Sequence, residues 1–278
     1  MSLVTNLQAT PYPLHSVTVQ GAYEPFNLQV SRNQIMGHSP VYIFGLTTSL
    51  GSTAYGPAWE GLTASGGNYV YPSTAAVMYI YSSSASDTAV TIQINGLDAN
   101  YNILTEKILL QGTTAVATVN SYLRINSMST VSGNSVGNVS LYSNSAKTGG
   151  TLYAQITAGN GNTQMSLFTV PNGYTFYQDY LQADANTGVT SSAYNKVRVY
   201  ANPSIPANTG AVPGPLTTLL QSVFVQQFNA INNYPISIPQ KTDIQWQLLA
   251  SAGTNTVANL YISGVLIQND GQALASAI

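Results

Sequence analysis

Four oxygen-bearing side chains stand close together in the run DANYNILTE: Asp98, Asn100, Asn102 and Glu106. The first three are spaced two apart, like the first three ligands of an EF-hand calcium loop. Such a loop also needs a glycine at position 6 and a bidentate acid at position 12. Counted from Asp98, position 6 is Ile103 and position 12 is Leu109. The residue that permits the sharp bend and the acid that completes the coordination are both missing. The stretch is therefore expected to be a hairpin corner, with Gly96 supplying positive φ and Asp98 and Asn100 bonding nearby backbone groups. A calcium site built from Asp98 and backbone carbonyls is the alternative; no dedicated metal site and no cofactor are expected.

Other chemistry is equally thin. The chain has no cysteine, which excludes disulfides, thiolate metal sites and thiol catalysis. Its two histidines, His15 and His38, accompany neither a G-x-S-x-G elbow nor an H-E-x-x-H pair, so packing or interfacial roles are expected. Nine carboxylates are scattered along the chain, with Asp179 and Asp184 the nearest pair in the C-terminal half. A glycosidase needs two carboxyl groups about 5–9.5 Å apart across a sugar, but an odd spacing along a strand sends two side chains to opposite faces. No G-x-x-x-x-G-K-[ST] or strand-linked G-x-G-x-x-G is present, and AGNGNT (residues 158–163), without a lysine, reads as a turn. The expectation is a protein that is not an enzyme.

Aromatic residues cluster in WEGLTASGGNYVYP (residues 59–72) and YTFYQDY (residues 174–180). Three roles compete for Trp59, Tyr69, Tyr71, Tyr174, Tyr177 and Tyr180. They fit half-buried strand positions, a subunit interface, or a platform on which a pyranose ring stacks. Where they serve recognition, they are the candidate interface residues. Seven basic residues in the whole chain are too few to pair with them as a nucleic-acid surface, and a net charge of −2 offers no field for nucleic acid or anionic lipid.

The elements that must position these groups are strands. Only 6% of the 278 residues are charged while 44% are hydrophobic, so Ser, Thr, Asn, Gln, Gly and Tyr must make the surface. Val90, Ile92 and Ile94 alternate onto one face, and NILTEKILLQG sends Leu104, Glu106, Ile108 and Leu110 one way and Thr105, Lys107 and Leu109 the other. VMYIYSS, KVRVYANP, DIQWQLLAS and NLYISGVLIQ repeat the pattern, and helical periodicity is nearly absent. Short strands with turn signals every ten residues or so predict an all-β chain of β-sandwich or jelly-roll type.

Punctuation divides the chain. Residues 1–40, with Pro11, Pro13, Pro25 and Pro40, read as an extended N-terminal arm, and 41–142 as a first β-rich lobe. Residues 143–151, SNSAKTGGT, read as a linker or long loop before a second β-rich lobe over 152–270. The proline-rich run 203–216 interrupts that lobe, and 271–278 form a tail. The opening MSLVTNLQATPYPLHS has no cationic region followed by an apolar one, so it does not read as a secretory signal. No stretch approaches the roughly 18 apolar residues of a membrane helix.

The order of several short phrases is more specific than any one of them. INGLDANYNILTEKILLQGTTAVATVNSYLRIN, GNVSLYS, AQITAGNGNTQMSLFTVPNGYTFY and YPISIPQKTDIQW follow one another between residues 94 and 246. The series resembles a family of uncharacterised virion structural proteins of tailed bacteriophages, over roughly residues 69–270. The match departs at SASDTAV (residues 84–90), at Phe168 and in the proline-rich run. The resemblance implies a non-enzymatic particle component, most simply a capsid decoration or cement protein on the virion surface. Its partners would be the major capsid protein and copies of itself in a homotrimer. A tail fibre, baseplate or host glycan-binding component is the alternative.

Overall fold

A computed structural model describes residues 24–61, 67–186, 194–202, 217–251 and 256–269. In chain order these form helix α1 (Phe26–Ser31) and strands β1 (His38–Leu50), β2 (Gly56–Pro57), β3 (Ala76–Ser82), β4 (Thr91–Leu97), β5 (Ile103–Leu109) and β6 (Val116–Tyr122). There follow β7 (Arg124–Ser132), β8 (Val139–Tyr142), β9 (Leu152–Ile156), β10 (Leu167–Thr169), β11 (Tyr174–Asn186) and β12 (Asn195–Asn202). The last are β13 (Thr217–Phe224), β14 (Gln227–Ile238), β15 (Asp243–Ala250) and β16 (Thr256–Gln268). The all-β expectation holds.

Two antiparallel sandwiches share the chain. In the larger, one sheet runs β1-β16-β11-β14 and the other β10-β15-β12-β13, with β2 added beside β15. Setting β2 aside and renumbering the strands of this sandwich from one to eight gives 1-8-3-6 over 2-7-4-5, which is the order of a jelly roll. The smaller sandwich packs β6-β3-β8-β9 against β5-β4-β7, and the chain inserts it whole between β2 and β10.

Alternation selects what each sandwich buries. Phe176, Leu181, Leu260 and Ile262 from one sheet of the jelly roll meet Val197, Val199, Trp246 and Leu248 from the other, all fully buried. In the insert, Met78, Ile80 and Leu141 meet Ile92, Ile94 and Met128. Each such side chain stabilises the fold by about 1.5–3 kcal/mol relative to leaving it exposed.

Strand pairing moves the expected boundaries. β1 lies in the jelly roll, paired with β16, so residues 38–50 do not belong with the strands that follow them. β9 pairs with β8, so residues 152–156 close the insert rather than open the next lobe. Residues 143–151 are accordingly the loop of the β8-β9 hairpin, tied by Ser143 N–H to Thr151 O and by Thr151 N–H to Ser143 Oγ. Of the expected arm, residues 26–31 are helical and 38–40 already form strand, while 1–23 lie outside the described residues, as do 203–216 and the tail 271–278.

The two outer faces of the jelly roll differ. Tyr55, Asn68 and Tyr69 lie over the outer face of the sheet that holds β15: Gln245 Oε1 accepts from Tyr69 N–H, Gln247 Nε2 donates to Asn68 Oδ1, and the Arg198 guanidinium lies 4.0 Å from the ring of Tyr55. This cover is why nearly every residue of β15 is buried. Among the described residues, the outer face of the β1-β16-β11-β14 sheet carries α1 at one end, where Val30 is buried, and Tyr42, Phe44 and Tyr261 border a depression against residues 126–129 of the insert, while Ile231 is exposed.

Candidate functional site

The six aromatic candidates separate into three environments. Trp59 is 6% and Tyr69 7% exposed; their rings meet edge to face at 5.6 Å, and Tyr69 meets Tyr71 the same way at 4.8 Å. Tyr69 donates its hydroxyl to Tyr153 O, and Tyr71 lies under the Arg124 guanidinium at 4.7 Å. Burial pushes both phenols well above their ordinary pKa. These three rings fill the core of the insert and its junction with the jelly roll, so they do not form an outward contact surface on this chain. Tyr174 packs against the jelly-roll core. Only Tyr177 and Tyr180 point from β11 to the outer face, opposite Val265 and Ser263 of β16.

That outer face holds aromatic residues the sequence reading missed. Tyr42 (62% exposed) and Phe44 (39%) of β1 lie opposite Ser263 and Tyr261, and the rings of Tyr180 and Tyr261 are 5.8 Å apart. Ile231 of β14, opposite Tyr180, is 78% exposed. The signal was in VYIFGL and LYISGV, where Tyr42 and Phe44 alternate with Ile43, and Tyr261 and Ser263 flank Ile262.

A β-bulge arranges the polar groups. Against β16 the register slips between Gln178 and Tyr180 and leaves Asp179 as the extra residue, while against β14 the same point faces the longer run 232–235. The odd spacing of Asp179 and Asp184 therefore does not send them to opposite faces as expected. Asp179 Oδ1 accepts from Ser263 Oγ at 2.8 Å on the outer side, and Asp184 lies opposite Asn259 farther along the same side. Opposite the bulge, Gly264 lets the sheet close over Phe176: a Cβ there would lie 2.3 Å from Tyr177 O and 2.6 Å from the Phe176 ring.

Between the carboxylates runs a chain of side-chain hydrogen bonds. Tyr180 donates its hydroxyl to Gln182 Oε1 at 3.0 Å, and Gln182 Nε2 donates to Asp184 Oδ2 at 2.7 Å. Tyr261 sits beside this row with its pKa raised, first by burial and then by Tyr42, Asp179 and Tyr180. Depressions flank it. One of about 430 Å³ is lined by Asp184, Asn186, Gln226, Val257 and Asn259; another of about 290 Å³ lies between α1 and Tyr42, Asp179 and Ser263.

The DANYNILTE corner is confirmed as a turn, by a different device than expected. Asp98 Oδ1 accepts from the backbone N–H of Asn100 and Asn102, and Tyr101, not Gly96, takes the positive φ of 65°. Gly96 lies within β4, where a Cβ would come 2.3 Å from Arg124 O. His15 lies outside the described residues, and His38 Nδ1 is 3.0 Å from Met36 O. Among the described residues, no group of three or more His, Asp or Glu side chains is placed to hold a metal ion, and no helix is long and apolar enough to cross a membrane.

No protein-family model matches the chain, and no curated protein matches it. Among solved structures, a chain from infectious bursal disease virus, Gt strain, aligns with 88% of this chain and 78% of its own at 12% identity. Its TM-score of 0.16 is too low to carry an argument about fold or role.

Proposed function

We propose that this chain is a non-enzymatic structural protein of a tailed-phage virion, a capsid decoration or cement protein on the outside of the head. The observation that carries the reading is the jelly roll interrupted by a second sandwich, because jelly rolls recur in viral coats. The phrases shared with phage virion proteins fall on successive parts of this one architecture: the β4-β5 corner, β6 and β7, β8, the turn before β11, and β15. Fold alone does not fix function, so the surface chemistry matters as well. With 6% charged residues, attachment rests on apolar and hydrogen-bonded contacts and is little affected by salt. Repetition of such contacts over a symmetric shell converts weak binding into firm attachment, and a homotrimer on a local threefold axis is the simplest arrangement.

Against an enzymatic role stands the geometry of the nearest carboxylate pair. With the bulge between them, the Cα atoms of Asp179 and Asp184 lie roughly 13 Å apart along the strand. The ring of Tyr180 and the amide of Gln182 stand between them. Imaging of the intact particle by cryo-electron microscopy tests the proposal. Density for the double sandwich on the head shell, in threefold clusters, is expected; a head shell without it, or density confined to the tail, overturns the capsid assignment.

A further inference from the structure

We infer that the open face of the β1-β16-β11-β14 sheet binds an uncharged, hydroxyl-rich oligosaccharide. This goes beyond the particle role and does not depend on it. Tyr42, Tyr180 and Tyr261 present ring surface, and beside them runs the hydrogen-bonded row from Tyr180 through Gln182 to Asp184. A pyranose offers the matching pair of surfaces, a C–H face to lie on a ring and hydroxyls to donate to oxygen acceptors. A carboxylate has about four acceptor positions, so one neighbouring amide or hydroxyl does not exhaust Asp184 or Asp179.

Charge chooses among possible occupants. On the described strands of this face, Asp179 and Asp184 have no Lys or Arg as a cross-strand partner, and Arg32 at the α1 end is already paired with Glu24, so an anionic polysaccharide is disfavoured. A protein surface is a poorer fit, since burying Asp179 and Asp184 in a dry interface without cations is costly. Sugar hydroxyls satisfy the same carboxylates without leaving water entirely. The side chains are also held before any ligand arrives, which lowers the ordering cost of binding. From Asp179 to Asp184 the row extends roughly 13 Å, and the depression of about 430 Å³ beyond Asp184 continues it. Jelly rolls serve as lectin domains as well as coat domains.

The test uses the full-length chain, titrated by nuclear magnetic resonance with cellohexaose, chitohexaose and, as the anionic counterpart, heparin. Saturable binding of at least one neutral hexamer is expected, with heparin weaker by tenfold or more. Tyr42→Ala and Tyr261→Ala should each weaken hexamer binding by about tenfold, as truncation of an interface aromatic does, and Asp184→Asn should weaken it as well. Val119→Ala, on the exposed surface of the insert, should leave it unchanged. Should Tyr261→Ala fail to fold, Tyr42→Ala decides, because Tyr42 is largely exposed. No saturable response to either hexamer, equal binding of heparin, or unchanged affinity in Tyr42→Ala overturns the inference. So does self-association in sedimentation that Tyr42→Ala abolishes while the hexamers stay silent, since the face would then join copies of the chain. Imaging of the particle is a separate measurement, so failure here leaves the capsid proposal standing, and the reverse.

Discussion

The Arg124 guanidinium meets the Asp243 carboxylate through two parallel hydrogen bonds, Nε to Oδ1 at 2.7 Å and Nη2 to Oδ2 at 2.9 Å, although the two residues open strands of different sandwiches. Both are buried, and both are fully engaged. Arg124 Nη1 donates to Pro72 O and Leu123 O, while Asp243 also accepts from Thr169 Oγ1 and Asn202 Nδ2. Burial works against the charge on Arg124, but the hydrogen bonds and attraction of Asp243 outweigh it and hold the pKa above its ordinary value. The pair thus fastens the insert to the jelly roll by a contact that tolerates no partial loss.

Removing one partner strands the other in a dry site, which costs about 3–5 kcal/mol. Asp243→Asn and Arg124→Met are each expected to lower the urea unfolding free energy by that amount. The double replacement Arg124→Met with Asp243→Leu should recover part of the loss, because two apolar side chains leave no orphan charge. Additive losses in the double-mutant cycle would show that the two residues do not act as a pair.

Gly96 is expected to resist substitution for a reason unrelated to turns. A Cβ at this position would lie 2.3 Å from the Arg124 carbonyl and 2.8 Å from the Tyr122 ring, and the carbonyl cannot swing away as a side chain can. Gly96→Ala should destabilise by about 1–3 kcal/mol, the usual cost of overpacking, and thermal unfolding reads it directly. An unchanged midpoint would mean that β4 and β7 separate freely at this point.

Alternation made much of the insert legible: Val90, Ile92 and Ile94 are buried, and Leu104, Glu106 and Ile108 face inward while Thr105, Lys107 and Leu109 are exposed. Partner choice was not legible, because local pattern says which face a strand buries and nothing about which strand lies beside it. β1 therefore read as the start of the first lobe when its partner is β16, at the far end of the chain. The candidate site was half legible. Tyr177 and Tyr180 were found, but a bulge at Asp179 changes the parity that a spacing argument assumes. Trp59, Tyr69 and Tyr71 sit in a connection without strand periodicity, and only the packing of two sandwiches makes that connection core.

Acid should unfold the insert through Asp87 and the corner through Asp98. Burial alone would raise the pKa of Asp87, but hydrogen bonds from Ser82 Oγ and the backbone N–H of Val136 and Gly137 prevail and lower it. At Asp98 burial likewise yields to the N–H groups of Asn102 and Asn100. A lowered carboxylate stabilises fully above its ordinary value of 3.8 and loses that contribution as pH falls through the folded value beneath it. Urea midpoints followed from neutral pH to about pH 2 should fall in that range. Asp87→Asn should have a lower midpoint at neutral pH and a shallower fall in acid; an equally steep fall would remove Asp87 from the account.

Calcium should not bind the DANYNILTE corner. Asp98 already serves Asn100 N–H, Asn102 N–H and Asn102 Nδ2, at 2.8, 2.9 and 3.1 Å, so its oxygens hold the turn rather than wait for an ion. A bound ion would raise the melting temperature in step with its concentration, through its preference for the folded state. Millimolar calcium and EDTA are therefore expected to give the same melting temperature. Asp98→Ala should cost about 1.5 kcal/mol or more, the net worth of hydrogen bonds to a charged acceptor, with or without calcium present. A calcium-dependent rise in melting temperature that disappears in Asp98→Ala would turn the corner back into a metal site.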